Sequence, residues 1–188
     1  MRIGMNALFY RFPSTGSGQY MTHLLEALAE VDGENEYVLL SPDDAPPNHQ
    51  NDPRFTYLKT PIPGFARRKA TLEKLAWEQF TAPAAARKAR ADLYHVPYFA
   101  PPYFSRVPSV ITIHDVIPLR LPVYRTSPRM KAYLQLVARA AHKASLIITV
   151  SQHAKQDMMD ALHLPAERIR VIYEAAGEEY KPVTGPET

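Results

Sequence analysis

The chain has 188 residues, 46% of them apolar, which is enough to form one sizeable hydrophobic core. It contains no cysteine, which excludes disulfides and thiolate chemistry and fits a reducing compartment. Its formal charge of +3 is too mild to favour a nucleic-acid-binding protein, and no apolar run approaches the roughly 20 residues of a membrane span. We therefore expect a cytoplasmic protein whose first residues begin a strand rather than a signal peptide.

In the first half of the chain, short apolar runs alternate with segments of helical periodicity. A strand, a glycine-containing loop, a helix closed by Gly33 and two further strands precede a long helix. Pro83 is expected to kink or split that helix, whose inner side is predicted to include Leu72 and Phe80, and Trp77 is assigned to the core. The predicted strands are 2–8, 36–41 and 55–59, and the predicted helices are about 17–31 and 66–90.

The second half continues the alternation. An apolar strand leads into a proline-rich stretch, and the next strand stops at His114 shortly before Pro118. Ser127 and Ser151 are predicted to cap two further helices. The predicted strands are 92–96, 109–113, 145–150 and 168–173. Seven strands and about four helices predict an α/β protein with a doubly wound, mostly parallel sheet.

The His114-Asp115 pair is the first candidate for chemistry. Ligands of open parallel sheets bind beyond the carboxyl ends of the strands, which is where this pair falls. Imidazole titrates near neutrality and a carboxylate can fix its tautomer, so the pair could transfer protons or orient a substrate. Adjacent residues on an extended chain point to opposite sides, so the two side chains need not touch. The alternative is a loop pair with ordinary hydrogen bonds.

Gly16, Ser17 and Gly18 lie between the first strand and the first helix. Exposed amides at a helix N-terminus suit a phosphate, and glycine lets the backbone approach it. The pattern begins like a dinucleotide fingerprint but has Met21 at the third glycine, and no carboxylate ends the second strand, so NAD is disfavoured. A tight turn that needs glycine for steric reasons explains the same residues equally well.

Aromatic side chains suggest a surface for an acceptor. Tyr98, Phe99 and Tyr103 lie in the proline-rich stretch after the fourth strand, and Tyr124 follows the fifth. These rings are candidates for contact with a sugar or another acceptor group.

Basic residues concentrate between Arg67 and Arg90, in the long predicted helix. A solvated helix face is the simpler interpretation. The alternative is contact with anionic lipid head groups or an anionic acceptor.

Other site classes find no support in the sequence. The seven histidines have no metal-ligand spacing and no D-x-D pattern occurs, so we expect no metal site and no cofactor. A nucleophile elbow and a P-loop lysine are also missing, which argues against hydrolases and kinases.

Taken together, the motifs resemble the N-terminal half of a family 4 glycosyltransferase, a retaining enzyme of the GT-B fold with two Rossmann-like domains. The resemblance covers nearly the whole chain. Its motifs are 15–20, 112–119, 148–157 and 164–173, with a continuation through 177 to 182.

This resemblance implies a separate role for the N-terminal domain and a set of site residues. It implies that the N-terminal domain binds the acceptor and that Gly16, Ser17 and Gly18 approach the donor diphosphate. By the same resemblance His114 lies beside the transferred sugar and Asp115 supports the site. Ser151 and Lys155 also match the family pattern. The implied reaction moves a sugar, with mannose from GDP-mannose as first choice, to a glycan or lipid-linked hydroxyl without a metal.

The donor half of such an enzyme, with its E-x₇-E signature, is missing from the sequence. We therefore expect residues 1–176 to form the acceptor-side domain, 177–188 to begin an interdomain linker, and this chain to be inactive alone. Two other functions stay open: a non-catalytic module that binds a glycan or lipid, and half of a sugar-nucleotide epimerase. The expected location is the cytoplasm, with optional peripheral contact at the inner membrane face.

Overall fold

The seven predicted strands are all present in the computed structural model, which describes residues 1–44, 52–62, 70–124, 127–177 and 180. Each begins and ends within two residues of its predicted bounds. They are β1 (Arg2–Asn6), β2 (Glu36–Ser41), β3 (Phe55–Lys59), β4 (Leu93–Val96), β5 (Ser109–Thr112), β6 (Leu146–Thr149) and β7 (Ile169–Val171).

The strands form one sheet in the order β3-β2-β1-β4-β5-β6-β7, and every neighbouring pair is parallel. Ile3 of β1, for example, pairs with Tyr37 on one side and Leu93 on the other. The order reverses direction at β1 and β4, as in a doubly wound sheet. The predicted α/β, Rossmann-like fold class is confirmed. All carboxyl strand ends therefore lie at one edge of the sheet.

Helices connect β1 to β2, β3 to β4, β5 to β6 and β6 to β7. The α-helices are α1 (Gly16–Val31), α2 (Ala70–Ala76), α3 (Ala82–Lys88), α4 (Ile117–Arg120), α5 (Pro128–Ala141) and α6 (Gln152–Leu162). Short 3-10 turns occupy Leu8–Arg11, Pro122–Tyr124 and Ala166–Arg168. Among the described residues, no helix has the length and apolar character needed to cross a bilayer.

Serine and threonine side chains begin three of these helices. The hydroxyl oxygens of Thr15, Ser127 and Ser151 accept hydrogen bonds from amides three residues ahead, at 3.0–3.2 Å. The two predicted serine caps are thus confirmed. The end of α1 differs from the prediction, because no described glycine has a positive φ. Asp32 ends the helix in extended conformation, and its carboxylate accepts from the amides that follow.

The long predicted helix is interrupted. A π-helical segment, Trp77–Thr81, separates α2 from α3, and residues 66–69 of the prediction lie outside the described part. Pro83 is in the next turn, and because it has no N–H it cannot donate the helical bond to Gln79. The wider π turn shifts the helix phase and buries Trp77, Glu78 and Gln79. Phe80, predicted to face inward, is for this reason about half exposed. Leu72, also predicted to face inward, lies before the π segment and is half exposed as well.

The core has two parts, one on each face of the sheet, because side chains alternate along each strand. Tyr37 and Leu39 of β2 pack with Met21 and Leu25 of α1 on one face. Val38 and Leu40 belong to the larger cluster on the other face, together with Trp77, Ile111, Ile147 and Met158. Ligands of such sheets bind at the carboxyl edge, beyond the ends of the strands.

Candidate functional site

The carboxyl edge of the sheet brings together the first predicted site residues. The loop after β1 leads to the N-terminus of α1, and β5 ends one residue before Ile113, whose amide still bonds the Ile148 carbonyl at 2.8 Å. His114 follows immediately. The glycine loop and the histidine therefore lie at the same edge, at the ends of strands separated by β4.

The two glycines of the loop have different roles. A Cβ on Gly18 would lie 1.9 Å from the Phe12 carbonyl oxygen, so that position needs glycine for packing against its own loop. The Gly18 amide is also engaged, since it donates to the Thr15 cap at 3.1 Å. A Cβ on Gly16 would meet nothing within 4 Å. The steric interpretation thus accounts for Gly18, while Gly16 and Ser17 remain available to a ligand.

The first two amides of α1 are the open ones. None of the hydrogen bonds formed within the described residues engages the amides of Gly16 or Ser17. They stand at the positive end of a 16-residue helix, where the macrodipole favours an anion. This arrangement can bind a phosphate oxygen, although donor binding at these residues stays a prediction.

His114 is held by two neighbours. Its Nδ1 lies 3.1 Å from Oε1 of Glu174, and the Tyr20 ring meets it edge-to-face at 4.7 Å between centroids. Its Nε2 is buried and has no hydrogen-bond partner among the described residues. The imidazole therefore presents its Nδ1 edge, not its Nε2 edge, to the open side of the site.

Beneath His114 a short polar chain runs into the sheet. The Tyr20 hydroxyl lies 3.4 Å from Thr112 Oγ1, which lies 3.1 Å from Nε2 of His95. Burial lowers the pKa of His95 to about 4, so this imidazole is neutral at physiological pH. Burial also raises the pKa of the Tyr20 phenol, which stays protonated. These hydrogen-bonded side chains support the residues around His114 without adding charge to the site.

Asp115 does not bond His114, as expected for adjacent residues on an extended chain. It is exposed, and its Oδ1 accepts from the Ile117 amide at 2.8 Å, which supports the start of α4. Lys155 donates to the Ile169 carbonyl at 2.9 Å and so ties α6 to β7. Both contacts are structural, and a further role for Asp115 stays a prediction.

The four aromatic candidates do not form one surface. Tyr98 is 4% exposed, and its hydroxyl accepts from Asn6 at 3.0 Å, so it lies in the core. Phe99 and Tyr103 are half-buried in the same loop, and Tyr124 is exposed in the 3-10 turn after α4. Acceptor contact at Phe99, Tyr103 and Tyr124 stays a prediction, whereas the Tyr98 ring is covered in this structure.

The ion pair between Lys74 and the buried Glu78 was not predicted from the sequence. Lys74 Nζ lies 2.8 Å from Oε1 of Glu78, whose side chain is fully buried, and 3.3 Å from the Tyr133 hydroxyl. The ammonium also lies 5.4–5.8 Å from the ring centroids of Phe9, Tyr98 and Tyr133. Burial raises the pKa of Glu78, an effect that the nearby ammonium partly offsets. The i,i+4 spacing of lysine and glutamate was the available signal.

Two other missed residues, Glu174 and Tyr20, contact His114 directly. A polar residue just after a strand end was the available signal for Glu174, which follows β7. Nothing in the local pattern pairs it with a histidine 60 positions earlier. Among the described residues, no three histidine or carboxylate side chains converge in a group that could hold a metal.

A doubly wound parallel sheet with open helix amides and a histidine at its carboxyl edge is the architecture of a Rossmann-like α/β domain. The profile of Glycosyltransferase Family 4 matches residues 14–176, and the chain belongs to that family. The resemblance inferred from the sequence motifs is confirmed.

Individual proteins add detail. The chain is 24% identical over 185 residues to an O-antigen chain mannosyltransferase B of Escherichia coli, covering 92% of this chain and 46% of that protein. Its structure resembles a sucrose-phosphate synthase from Thermosynechococcus elongatus, with a TM-score of 0.55, 16% identity and coverage of 93% and 90%. It also resembles the wall teichoic acid polymerase TagF, with a TM-score of 0.51, 12% identity and coverage of 92% and 38%. The chain thus spans less than half of the curated relative, and the structural likenesses support the fold.

Proposed function

We propose that this chain is the acceptor-side half of a retaining glycosyltransferase that uses a nucleotide sugar. The observation that carries the proposal is the placement of His114 and the open Gly16 and Ser17 amides at one sheet edge of a Family 4 domain. GDP-mannose is the first choice of donor, supported by the name of the Escherichia coli relative. The acceptor is a hydroxyl on a glycan or a lipid-linked molecule.

In this proposal the groups of the edge act mainly by charge and position. The amides of Gly16 and Ser17, with the dipole of α1, stabilise the diphosphate as it leaves the sugar. His114 lies beside the transferred sugar, and Phe99, Tyr103 and Tyr124 are the candidates for acceptor contact. No metal or cofactor is invoked, because helix amides and basic side chains can take the place of the ion. The work is charge stabilisation and orientation around an oxocarbenium-like transition state.

We further propose that residues 1–188 alone transfer no sugar, since the groups that hold the nucleotide belong to a second domain. The test compares this chain with a complete protein that carries the second domain, both given GDP-mannose and a lipid-linked or glycan acceptor. Transfer by the complete protein and none by the chain supports the proposal. Transfer by the chain alone contradicts it, and conversion of the donor without acceptor would favour the epimerase alternative.

His114→Ala in the complete protein should lower turnover strongly and leave the fold intact, because His114 is a half-buried edge residue outside both core clusters. His153→Ala is the matched control, since its side chain is 89% exposed on α6. Parent-level transfer by the His114 variant would refute its assigned role.

We also propose that this domain contacts an anionic membrane, at the cytoplasmic side, through part of the basic helix. Phe80 and Phe104 are exposed by 54% and 65%, and their rings stack with centroids 6.3 Å apart. A hollow of about 590 Å³ beside them is lined by Arg87, Lys88 and Arg106. We call these five residues the aromatic-basic patch. Exposed aromatic rings framed by cations fit the interface of a bilayer that contains anionic lipids.

The patch joins two elements that are fixed to each other. Gln79 donates to the Pro101 carbonyl at 3.0 Å and accepts from the Tyr103 amide at 2.9 Å, which locks the loop carrying Phe104 against the helix. No ion pair formed within the described residues engages Arg87, Lys88 or Arg106. Each free cation near such a surface contributes about 1 kcal/mol of attraction. Lys74 does not belong to the patch, because its ammonium pairs with buried Glu78.

Vesicle sedimentation tests this contact. The chain should pellet with vesicles that contain about a third anionic phospholipid, and less with neutral phosphatidylcholine or at high salt. The double variant F80S/F104S and the triple variant R87Q/K88Q/R106Q should both lose this binding. The control R139Q/R170Q, which removes exposed cations elsewhere, should bind like the parent. Equal binding to neutral vesicles, or parent-level binding by both patch variants, would exclude the patch as the contact.

A further inference from the structure

The segment after β7 returns across the carboxyl edge of the sheet. The strand order places β6 between β5 and β7, so a contact between the ends of β5 and β7 must pass over β6. The chain from Ile172 to Glu174 makes that crossing, and the Ile172 amide still bonds the Thr149 carbonyl at 2.9 Å. Two residues later the carboxylate of Glu174 reaches Nδ1 of His114 at 3.1 Å.

The two nitrogens of His114 are in opposite situations. Nδ1 meets a carboxylate, which accepts hydrogen bonds and donates none when ionised. Nε2 is buried without a partner in the described part of the chain. An unpartnered Nε2 is unfavourable in either protonation form, so the contact at Nδ1 decides the tautomer, because only a protonated Nδ1 can donate to the carboxylate. The proton of the neutral ring therefore belongs on Nδ1, where Glu174 accepts it.

The Tyr20 ring restrains the imidazole, and a further contact holds Tyr20 in place. The Tyr20 ring meets the imidazole at an interplanar angle of 87°, and the Tyr20 hydroxyl lies 3.4 Å from Thr112. This leaves rotation about the side-chain bonds of His114 as the remaining freedom, and the hydrogen bond to Glu174 opposes it. The side chain of Glu174 is 49% exposed, so it stands on the open side of the site rather than inside the domain.

We infer that Glu174 is a positioning residue that holds His114 in its Nδ1–H tautomer and in the orientation that faces the transferred sugar. The inference rests on the proposed function only for the consequence in catalysis, since the hydrogen bond itself is a property of this chain. The segment that leads away from the sheet thereby becomes part of the site.

The first test reads the tautomer by nitrogen NMR of the histidines in this chain, with the His114 signals assigned by their loss in H114Q. We expect the Nδ1–H form in the parent. In E174A the ring is released to solvent and the Nε2–H form should gain, whereas E174Q should keep the parent pattern because its amide oxygen also accepts. E167A is the matched control, because Glu167 is an exposed glutamate in the turn before β7 with no bond to His114. A parent spectrum in E174A would overturn the inference.

The second test measures transfer by the complete protein. E174A should lower kcat about tenfold with KM for the donor nearly unchanged. E174Q should restore most of the rate, because its amide oxygen still accepts the hydrogen bond from Nδ1. If H114A abolishes transfer while E174A does not lower it, the positioning role is wrong and the proposed function stands. If E174A changes the tautomer and neither H114A nor E174A affects transfer, the role of His114 fails and the contact stands.

Discussion

Replacing each glycine of the first loop by alanine separates its steric role from its role toward a ligand. In Gly18→Ala the new Cβ would sit 1.9 Å from the Phe12 carbonyl oxygen and 2.6 Å from its carbon, both backbone atoms that cannot rotate away. The loop must move, which also disturbs the Thr15 cap, worth about 1 kcal/mol. Together with about 1–3 kcal/mol for the forced overpacking, we expect Gly18→Ala to lower the free energy of unfolding by about 2–4 kcal/mol.

Gly16→Ala is the matched control, because its Cβ meets nothing within 4 Å and glycine in a helix is less favourable than alanine by up to about 1 kcal/mol. Its stability should equal or slightly exceed that of the parent. Urea unfolding followed by circular dichroism measures both variants, and a loss of about 2–4 kcal/mol corresponds to a lowering of Tm by roughly 4–16 °C in a protein of this size. Parent stability in Gly18→Ala, or equal losses in the two variants, would refute this assignment of roles.

Three other changes test the buried polar groups. The pKa of His95 is lowered to about 4 from 6.5 by burial, so the unfolded chain takes up a proton that the folded chain resists. The stabilisation is nearly complete above pH 6.5, and the free energy of unfolding should fall by roughly 2–3 kcal/mol by pH 4.5; His95→Gln should flatten this decline in urea titrations. Glu78→Ala should cost about 2 kcal/mol, less than for a fully buried pair, because Lys74, 38% exposed, keeps part of its hydration when its buried partner is lost; thermal unfolding measures the loss. Trp77→Phe should cost about 2 kcal/mol, because its Nε1 bonds to Thr60 at 2.9 and 3.0 Å are lost; urea unfolding at pH 7 measures it.

The sheet was predictable because its strands carry local signals. Buried parallel strands are short apolar runs. The β-branched run predicted as strand 109–113, for example, ends one residue after β5. The caps at Ser127 and Ser151 are local as well, since a hydroxyl reaches an amide three residues ahead. Elements fixed by neighbours in sequence could therefore be placed without the structure.

Helix faces were less predictable, because they depend on phase over several turns. The π segment Trp77–Thr81 changes the phase within one helix, and a periodicity count at 3.6 residues per turn then assigns Phe80 to the wrong side. Met130 shows the same limit at the start of α5. Its helical spacing from Leu134 and Val137 predicts a side chain that faces the core, but Met130 is 41% exposed one turn before the first buried residue of that helix, Leu134.

In the candidate site, too, local features were predictable and long-range contacts were not. The strand-end position of His114 is local, so the sequence predicts it, but its orientation depends on Glu174, 60 residues later and across another strand. Asp115, the carboxylate beside it in sequence, bonds an amide of α4 instead. Two carboxylates were available, and only the register of three strands decides which one reaches the imidazole. Neutralising Asp115 tests this. D115N should leave the His114 tautomer unchanged in the nitrogen spectrum, and a change equal to that of E174A would show that the adjacent carboxylate also acts on the ring.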